Sequence, residues 1–354
     1  MKSSISISRK IKPYNKVIQI DGDKSLSIRW ALLASQAIGK SKAYNLLRSE
    51  DVLDTLNCLK TLGIKIKNKK KYCEIHGKGI NNFNYKNNLV LNAGNSGTLG
   101  RLILGLLVHS PKKIRLIGDR SLSKRDFSRV TEPLKKIGGK FYFNKKNKLP
   151  LSMLGTKFAK PINYNENKGS AQCKSCVMLA AMNTEGETII KAKKSRNHTE
   201  LLFKYLKIPI KVRKKTKFDL IKIKGKKEFK SFNYKVPADI SSSAFFIALT
   251  ALSENSRLII KSVNINPTRG GVIEILSKMG VKISLKNKIN YKGEKIADIQ
   301  VESAKSLRAI NCPAKLNSSA IDEFLIIFLV AARSKGISYF KNLSELNQKE
   351  SPRL

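Results

Sequence analysis

Apolar residues recur at helical spacing in five segments of the chain, and each segment opens on a serine. The segments are 25–38, 96–109, 170–182, 241–252 and 319–332. Their first residues lie 71, 74, 71 and 78 residues apart. Serine is a favoured helix N-cap, and apolar positions that repeat every three to four residues are typical of a helix. The pattern therefore predicts five serine-capped helices in a repeated arrangement.

A second series of predicted helices has nearly the same period. Each ends in an apolar residue followed by glycine, or by lysine in one copy: Leu62-Gly63-Ile64, Ile137-Gly138-Gly139, Leu206-Lys207-Ile208 and Met279-Gly280-Val281. Glycine supplies the left-handed backbone of a helix C-terminus, and alternation such as that of 281–285 predicts a strand. Two interleaved series with a period of roughly 70 residues predict a repeated α/β unit. A further helix of this series would end near residue 357, about three residues past Leu354, so we expect the last unit to be incomplete.

Several of these helix starts place serine beside basic residues or glycines, which is typical of sites for phosphates and carboxylates. The free N–H groups and the positive dipole end of a helix N-terminus attract anions. For any single helix, simple capping explains the serine better. The motifs are Gly22-Asp23-Lys24-Ser25 with Arg29, Gly94-Asn95-Ser96-Gly97-Thr98 with Arg101, Ser170-Ala171-Gln172-Cys173-Lys174-Ser175, Ser195-Arg196-Asn197-His198-Thr199-Glu200, Asn266-Pro267-Thr268-Arg269, Ile321-Asp322-Glu323 and Gln348-Lys349-Glu350-Ser351-Pro352-Arg353.

The net charge is the unusual feature of the composition. The 354 residues include 70 Lys and Arg against 25 Asp and Glu, which gives +45. Such an excess attracts anions, from nucleic acids to phosphorylated metabolites. Lysine is spread over nearly the whole chain, and the densest runs, 65–71 and 213–226, contain almost no aromatic residues. We therefore interpret these runs as solvated faces and not as a nucleic-acid groove.

Cysteine usage and hydropathy favour a cytoplasmic protein without a membrane segment. The first sixteen residues lack the apolar run of a signal peptide, and the longest apolar stretch, 324–332, is too short to span a bilayer. The five cysteines show no disulfide-framework spacing. Cys173 and Cys176 form a lone C-x-x-C, which we interpret as core filler because a zinc site needs further ligands. We expect no metal.

Taken together and in this order, the motifs resemble those of the 5-enolpyruvylshikimate-3-phosphate (EPSP) synthases, also called 3-phosphoshikimate 1-carboxyvinyltransferases. The resemblance runs from about Ile20 to Arg353 and includes Val236-Pro237-Ala238-Asp239-Ile240-Ser241-Ser242. The motifs at 22–25, 170–174, 196–200 and 266–269 are similar to the family's second class, which is often insensitive to glyphosate. The related UDP-N-acetylglucosamine enolpyruvyl transferases are a poorer match, because their Lys-Asn pair is replaced here by Lys24-Ser25 and their cysteine loop is not visible.

The resemblance implies a mixed α/β (α+β) fold, an alpha-beta prism of two domains built from βαβαββ units. Residues 21–235 would form one domain with three units, and residues 1–20 plus 236–354 would form a second, incomplete one. The implied reaction transfers the enolpyruvyl group of phosphoenolpyruvate to the 5-hydroxyl of shikimate 3-phosphate and releases phosphate. It serves the shikimate pathway towards chorismate and the aromatic amino acids. The resemblance implies no cofactor, and we expect a cytoplasmic monomer.

The resemblance also assigns roles to individual residues. Asp322 would accept the proton of the hydroxyl, and Glu350 and Lys24 would form the acid/base pair at the methylene carbon. Shikimate 3-phosphate would be bound by Lys24, Ser25, Arg29, Ser170, Gln172, Ser195, Asp322 and Lys349. Phosphoenolpyruvate would be bound by Lys24, Gly97, Arg125, Gln172 and Arg353.

Departures from the family pattern leave three hypotheses open. Asp126 follows Arg125 where the family usually has proline, Asn347, Gln348 and Pro352 differ in the final motif, and family members continue for about one more repeat. The chain is therefore an active synthase, an impaired or inactive member that binds shikimate 3-phosphate alone, or, as a remote alternative, a basic nucleic-acid-binding protein. The last predicts an affinity that falls steeply with salt.

Overall fold

The chain folds as two compact units in a computed structural model that describes residues 6, 8 and 10–348. The large unit comprises Asp21–Pro237 and Asn290–Glu294. The small unit comprises Ala238–Ile289 with the described parts of Met1–Ile20 and Lys295–Leu354. Each unit encloses its own cluster of buried apolar side chains.

Helices and strands alternate along most of the described chain. The helices are α1 (Lys24–Gln36), α2 (Glu50–Thr61), α3 (Gly97–Leu107), α4 (Ser128–Ile137), α5 (Ala171–Asn183), α6 (His198–Tyr205), α7 (Ile240–Leu252), α8 (Gly271–Lys278) and α9 (Phe324–Ala332), with 3₁₀ turns at Leu122–Lys124, Ala314–Ser319 and Ser344–Gln348. Across residues 6, 8 and 10–348, none of the helices combines the length and apolar character that spanning a bilayer requires.

Within the described residues the strands fall into four sheets. They are β1 (Asn15–Ile18), β2 (Ile38–Tyr44), β3 (Lys65–Asn68), β4 (Tyr72–Lys78), β5 (Leu89–Asn92), β6 (Lys113–Ile117), β7 (Lys140–Lys145), β8 (Lys148–Leu154), β9 (Asn163–Glu166), β10 (Glu187–Lys193), β11 (Ile210–Lys214), β12 (Phe218–Lys224), β13 (Asn233–Lys235), β14 (Arg257–Asn264), β15 (Lys282–Tyr291) and β16 (Glu294–Glu302).

All four sheets share one design, which confirms the predicted repeat. Their strand orders are β13-β2-β4-β3, β5-β6-β8-β7, β9-β10-β12-β11 and β1-β14-β16-β15. In each sheet the first pair is parallel and the second is antiparallel, and in the three sheets of the large unit the third pair is antiparallel as well. Two sheets follow the chain order βαβαββ, whereas the other two take their first strand from a distant segment. Tyr234 of β13 lies opposite Ala43, and Val17 of β1 lies opposite Ile259.

The central helices of the large unit are buried on all sides. Residues 26–36 of α1 and 173–183 of α5 are entirely buried, and α3 is buried except at Arg101. Helices that are buried on all sides belong in a core, where each is covered by its neighbours. In the small unit, α7 and α9 are only partly covered, and they leave Phe245, Phe246, Leu249, Leu325 and Leu329 exposed.

The predicted helix C-termini are confirmed by their backbone geometry. Gly63, Gly138 and Gly280 have φ values of 84°, 124° and 96°, and Lys207, in the copy without glycine, also adopts a positive φ of 56°. In all four copies the next residue donates its N–H to the carbonyl five positions earlier, as Ile208 does to Phe203 at 2.9 Å. This bond defines a Schellman motif, so the same cap ends the second helix of every repeat.

The predicted serine caps are correct at two helices and wrong at three. Ser96 and Ser170 cap α3 and α5 through their hydroxyls. Helix α1 begins at Lys24, not at Ser25, because the Asp23 carboxylate accepts the N–H of Leu26 at 2.9 Å. Aspartate caps at least as well as serine and adds negative charge at the positive helix end, so the upstream carboxylate takes the position.

The remaining two predicted starts fail for similar local reasons. Asp239, not Ser241, caps α7, which begins at Ile240. Ser319 ends a 3₁₀ turn, and α9 begins only at Phe324. The strand predicted at 281–285 is present but longer, since β15 runs from Lys282 to Tyr291.

Lysines occupy exposed positions on the outer strands of the sheets. The edge strand β3 reads Lys-Ile-Lys-Asn, and β7, β11 and β15 likewise carry lysines at exposed positions. The run 65–71 is exposed apart from a half-buried Ile66. Charged side chains on an edge strand prevent pairing with another chain. This placement supplies a structural use for part of the lysine excess.

Candidate active site

Four helices of the large unit bring their N-terminal turns together through two buried hydrogen-bonded groups. The first group centres on Arg29 of α1 and reaches α5 and α6. The second centres on Gln172 of α5 and reaches α3. Ser25, Gly97, Ser170 and the segment before α6 therefore lie at one end of the unit.

Arg29 is fixed by hydroxyl groups from two other helices. Its Nε donates to Thr199 Oγ1 at 2.8 Å and its Nη2 donates to Ser175 Oγ at 3.1 Å, while the two hydroxyls bond to each other at 2.7 Å. Its Nη1 donates to the backbone carbonyl of Ser25 at 3.1 Å. Burial lowers the pKa of the guanidinium to about 10, and the nearby Glu200 carboxylate opposes that shift. Arg29 therefore remains a cation at neutral pH in a fixed orientation.

A buried ion pair lies beside this group. Lys174 Nζ of α5 is 2.6 Å from Glu200 Oε1 of α6, and both side chains are almost completely buried. Buried charges persist only when paired, and loss of one partner leaves an uncompensated charge. The pair therefore joins α5 to α6 directly behind the Arg29 hydroxyl cluster. Ser175, Thr199 and Glu200 stand within motifs of the sequence, but their role follows only from their proximity to Arg29 in the fold.

Gln172 is oriented by two residues of α3. Its Nε2 donates to Thr98 Oγ1 at 3.0 Å, and its Oε1 accepts a hydrogen bond from Arg101 Nη1. The side-chain amide is thus held between an acceptor and a donor, so its orientation is defined. Thr98 and Arg101 lie on the same turn of α3 as Gly97. The family resemblance predicted a role for Gln172 but none for these two supporting residues.

Gly97 and Arg125 lie in direct contact. A Cβ at position 97 would be 2.6 Å from Arg125 Nη1, so a larger residue there would displace the guanidinium from its present position. Arg125 Nη2 also donates to Asn95 Oδ1 at 2.9 Å. The adjacent Asp126 accepts hydrogen bonds from the backbone N–H and the hydroxyl of Ser128. The acid that departs from the family pattern is thereby engaged at the start of α4.

The other predicted residues of the large unit differ in their surroundings. Lys24 Nζ lies 3.5 Å from Asp51 Oδ2 and is partly exposed. The hydroxyl of Ser170 accepts the N–H of Cys173 at 3.3 Å as a helix cap. Ser195 Oγ is buried and has no hydrogen-bond partner among the described residues. A buried hydroxyl without a partner carries a cost in folding free energy.

The cysteines are structural. Cys173 and Cys176 are buried, and burial raises the pKa of both thiols. All five cysteines are free and buried, as expected for inert core residues. In the described part of the chain, no group of three or more His, Cys, Asp or Glu side chains is placed to hold a metal ion.

Asp322 belongs to the small unit. It is half-buried in the turn directly before α9, next to the buried Glu323. The predicted site residues Lys349, Glu350 and Arg353 lie outside the described residues.

These features define a class of protein: a mixed α/β protein of two units, built from repeated βαβαββ modules, with basic and hydroxyl side chains at its helix N-termini. Comparison with known proteins identifies the class further. The fold is similar to a solved structure of EPSP synthase from Acinetobacter baumannii, with a TM-score of 0.86 and 34% identity over 96% of this chain and 76% of that one.

The sequence comparisons agree. Residues 8–354 match the family model described as EPSP synthase (3-phosphoshikimate 1-carboxyvinyltransferase). The 3-phosphoshikimate 1-carboxyvinyltransferase of Zymomonas mobilis is 37% identical over 98% of this chain and 77% of its own length. That of Vesicomyosocius okutanii is 40% identical over 97% and 78%. The chain belongs to the EPSP synthase family and spans about three quarters of the length of these relatives.

Proposed function

We propose that this protein transfers the enolpyruvyl group of phosphoenolpyruvate to the 5-hydroxyl of shikimate 3-phosphate, in the shikimate pathway. The hydroxyl oxygen bonds to the central carbon of phosphoenolpyruvate while its methylene carbon gains a proton, which gives a tetrahedral intermediate. Loss of a proton from the new methyl group and of inorganic phosphate then restores the enol ether. The reaction needs a base, an acid and cations around two phosphates and a carboxylate.

One observation carries the proposal. The N-terminal turns of α1, α3, α5 and α6 are held together by the hydrogen bonds of Arg29 and Gln172. Helix N-termini and fixed guanidinium groups together form an anion site that needs little reorganisation when a ligand binds. A reaction between two phosphate-bearing substrates requires such a site.

Individual roles follow the family pattern and are part of the proposal. For shikimate 3-phosphate the ligands are Lys24, Ser25, Arg29, Ser170, Gln172, Ser195, Asp322 and Lys349. For phosphoenolpyruvate they are Lys24, Gly97, Arg125, Gln172 and Arg353. Asp322 takes the proton of the hydroxyl, and Lys24 and Glu350 act at the methylene carbon.

The geometry of Arg29 and Ser195 supports their assignment to a phosphorylated ligand. Arg29 keeps its charge at neutral pH because its pKa remains about 10. Its orientation is fixed because hydroxyl groups accept hydrogen bonds from its Nε and Nη2. Ser195 has a buried hydroxyl that makes no hydrogen bond to any described residue. A phosphate oxygen would accept a hydrogen bond from this hydroxyl and relieve the cost of burial. Hydrogen bonds to a charged group contribute about 1.5–3 kcal/mol, or at least tenfold in affinity.

The first experiment measures phosphate release with both substrates present and, by calorimetry, the binding of each substrate alone. We expect turnover and tight binding of shikimate 3-phosphate. Binding of shikimate 3-phosphate without phosphate release would instead support the impaired-member hypothesis. A failure to bind shikimate 3-phosphate by a folded sample would contradict the proposal.

A matched pair of variants tests the site itself. Ser195→Ala is expected to weaken binding of shikimate 3-phosphate by about tenfold. Thr131→Val removes another buried hydroxyl that has no partner among the described residues, but this one lies on α4. It is expected to leave the affinity within about twofold of the wild type. A twofold change corresponds to about 0.4 kcal/mol of binding free energy, which is close to the smallest difference that can be measured. Equal effects of the two substitutions would show that Ser195 is not a ligand.

The remaining expectations concern the protein as a whole. We propose that it acts as a monomer in the cytoplasm. The five free, buried thiols fit a reducing compartment. Sedimentation of the purified protein and fractionation of cells test these two statements.

A further inference from the structure

Four polar side chains meet at the N-terminal ends of α7 and α9 in the small unit. They are Asp239, Ser241, Arg269 and Glu323. Arg269 is the centre of the group: its Nη2 lies 2.5 Å from Ser241 Oγ, 3.7 Å from Asp239 Oδ1 and 3.9 Å from Glu323 Oε1. The Arg269 and Glu323 side chains are almost completely buried. We call this group the Arg269 cluster.

The hydrogen bonds of the Arg269 cluster have a fixed direction. The guanidinium can only donate, so it donates to the Ser241 oxygen, and the Ser241 hydroxyl in turn donates to Glu323 Oε1. Asp239 accepts the N–H groups of Ser241 and Ser242 at 2.7 and 3.2 Å. Linked bonds of this kind strengthen one another inside a protein. The carboxylate of Glu323 is therefore held in one place by a buried cation and a hydroxyl.

The Arg269 side of the cluster is itself rigid. Asn266 Oδ1 accepts hydrogen bonds from the N–H and the hydroxyl of Thr268, and the Asn266 carbonyl accepts the N–H of Arg269 at 2.7 Å. The next helix, α8, begins at Gly271 and packs against the chain before α9. A Cβ at position 271 would be 2.4 Å from Ser319 Oγ and 3.0 Å from Ala320 Cβ. The turn that bears Arg269 thus contacts the segment that leads into α9.

This segment carries Asp322. Glu323 donates its N–H to the carbonyl of Ala320 and accepts the N–H of Ile327 in α9, both at 3.0 Å. Backbone bonds on both sides, together with the bonds of its carboxylate, define the position of Glu323. Because Asp322 is the preceding residue in the same tight turn, its direction depends on how Glu323 is held.

We propose that Arg269, Ser241 and Glu323 are positioning residues for Asp322. The inference rests on the proposed function, in which Asp322 takes the proton of the 5-hydroxyl. Of the two adjacent carboxylates, the cluster engages Glu323 through Ser241 and Arg269, and it thereby fixes the turn that bears Asp322. A general base must lie within hydrogen-bond reach of its proton, and a misplacement of about 1 Å can cost about 100-fold in rate.

The test uses three single variants of the whole chain. Ser241→Ala breaks the chain of hydrogen bonds, and Glu323→Gln removes the negative charge opposite Arg269; both leave Arg269 in place. Ser242→Ala is the matched control, because this neighbouring serine is exposed and its backbone N–H still bonds to Asp239. We expect kcat to fall about 10- to 100-fold in the first two variants. We expect KM for both substrates to stay within about threefold in all three, since uniform binding is unaffected.

Removal of Arg269 is a poorer test, because it leaves two buried carboxylates without their cation and threatens folding. Arg269→Lys retains the charge but loses the planar donor geometry. It should therefore fold and show a reduced kcat. Thermal unfolding of each variant, compared with Ser242→Ala, separates loss of position from loss of fold.

A double-mutant cycle gives the readout that a merely structural role would not. In an Asp322→Asn background, Ser241→Ala should cause no further fall in kcat, since the base that it positions is already absent. A full additional fall would overturn the inference, as would a large rise in KM for shikimate 3-phosphate, which would make Ser241 a direct ligand. Turnover that both single variants leave unchanged would overturn the inference alone. Absence of turnover in the wild type would overturn the proposed function and the inference together.

Discussion

Two glycines of α3 provide a direct test of the packing in the large unit. At Gly105 a Cβ would lie 2.2 Å from the backbone carbonyl oxygen of Cys176 in α5. At Gly100 the nearest atom to such a Cβ is Phe127 Cζ at 3.4 Å, which is an ordinary contact. The same substitution in the same helix should therefore have opposite effects.

The magnitudes follow from the two distances. A carbon and an oxygen cannot approach much below about 3 Å, so Gly105→Ala must separate α3 from α5 by nearly 1 Å. Overpacking against backbone costs up to about 3 kcal/mol, while alanine is favoured over glycine in a helix by about 1 kcal/mol. We therefore expect Gly105→Ala to lower the free energy of unfolding by about 2 kcal/mol. Gly100→Ala should raise it by about 0.5–1 kcal/mol.

The single tryptophan makes the assay specific. Trp30 is fully buried in α1, within the core of the large unit, so its fluorescence reports on that unit. Urea unfolding monitored at this residue should show a lower midpoint for Gly105→Ala and a slightly higher one for Gly100→Ala. The affinity for shikimate 3-phosphate should fall as well in Gly105→Ala, because the Gln172–Thr98 bond joins the same two helices.

Equal midpoints for the two variants, or a Gly105→Ala protein as stable as the wild type, would refute this reasoning. Such a result would mean that α3 and α5 are not in close backbone contact. A shift in the same direction for both variants would indicate that helix propensity alone governs these positions.

Three further predictions concern single positions. Burial lowers the pKa of His109 to about 4, whereas the same imidazole in the unfolded chain is protonated near pH 6.5. The stability that depends on neutral His109 is therefore fully present above pH 6.5 and falls as the pH drops towards 4. We expect the free energy of unfolding to decrease by about 2 kcal/mol between pH 7.5 and pH 5. His109→Gln should abolish that part of the pH dependence in urea titrations, and an unchanged profile would contradict the assignment. Lys207→Gly should raise the free energy of unfolding by about 0.5 kcal/mol, because lysine at φ 56° is strained; a loss of stability in chemical denaturation would show otherwise. On α7, Ile247→Ala should lower the free energy of unfolding by about 3 kcal/mol and Phe245→Ala by at most about 0.5 kcal/mol, since the side chains are 0% and 62% exposed. Similar melting temperatures of the two variants in calorimetry would show that the face of α7 that bears Phe245 is covered.

Local pattern was sufficient to predict the order of the helices and their period. The apolar spacing and the helix C-caps at Gly63, Gly138 and Gly280 depend on neighbouring residues, so they can be recognised without the fold. The helix C-cap at Lys207 was also predicted correctly, because its position in the repeat is that of the glycine caps. The serine starts of α1 and α7 were wrong because an aspartate two residues upstream makes the cap instead.

The tertiary structure alone revealed a third repeated feature. A glycine lies at the C-terminal end of β4, β8 and β12, one strand in each sheet of the large unit: Gly77 is the second-last residue of β4, and Gly155 and Gly225 directly follow β8 and β12. A Cβ there would lie 1.9–2.3 Å from a carbonyl oxygen at the end of α1, α3 or α5. These glycines allow each of the three strands to pass directly over the end of a central helix. Nothing in the neighbouring sequence indicates the requirement, because the crowding atoms come from a segment about 40 residues or more away, a contact that only chain closure produces.

The candidate site divides in the same way. Its residue types could be predicted from sequence, because serine, lysine and arginine next to helix starts are recognisable locally. The partners could not: Arg29 bonds to Ser175 and Thr199, which are 146 and 170 residues further along the chain. The first strands of two sheets also come from distant segments, as β1 does for β14. Short-range steric and hydrogen-bonding preferences determine where helices begin and end, but only the packing of the whole chain decides which of their ends meet.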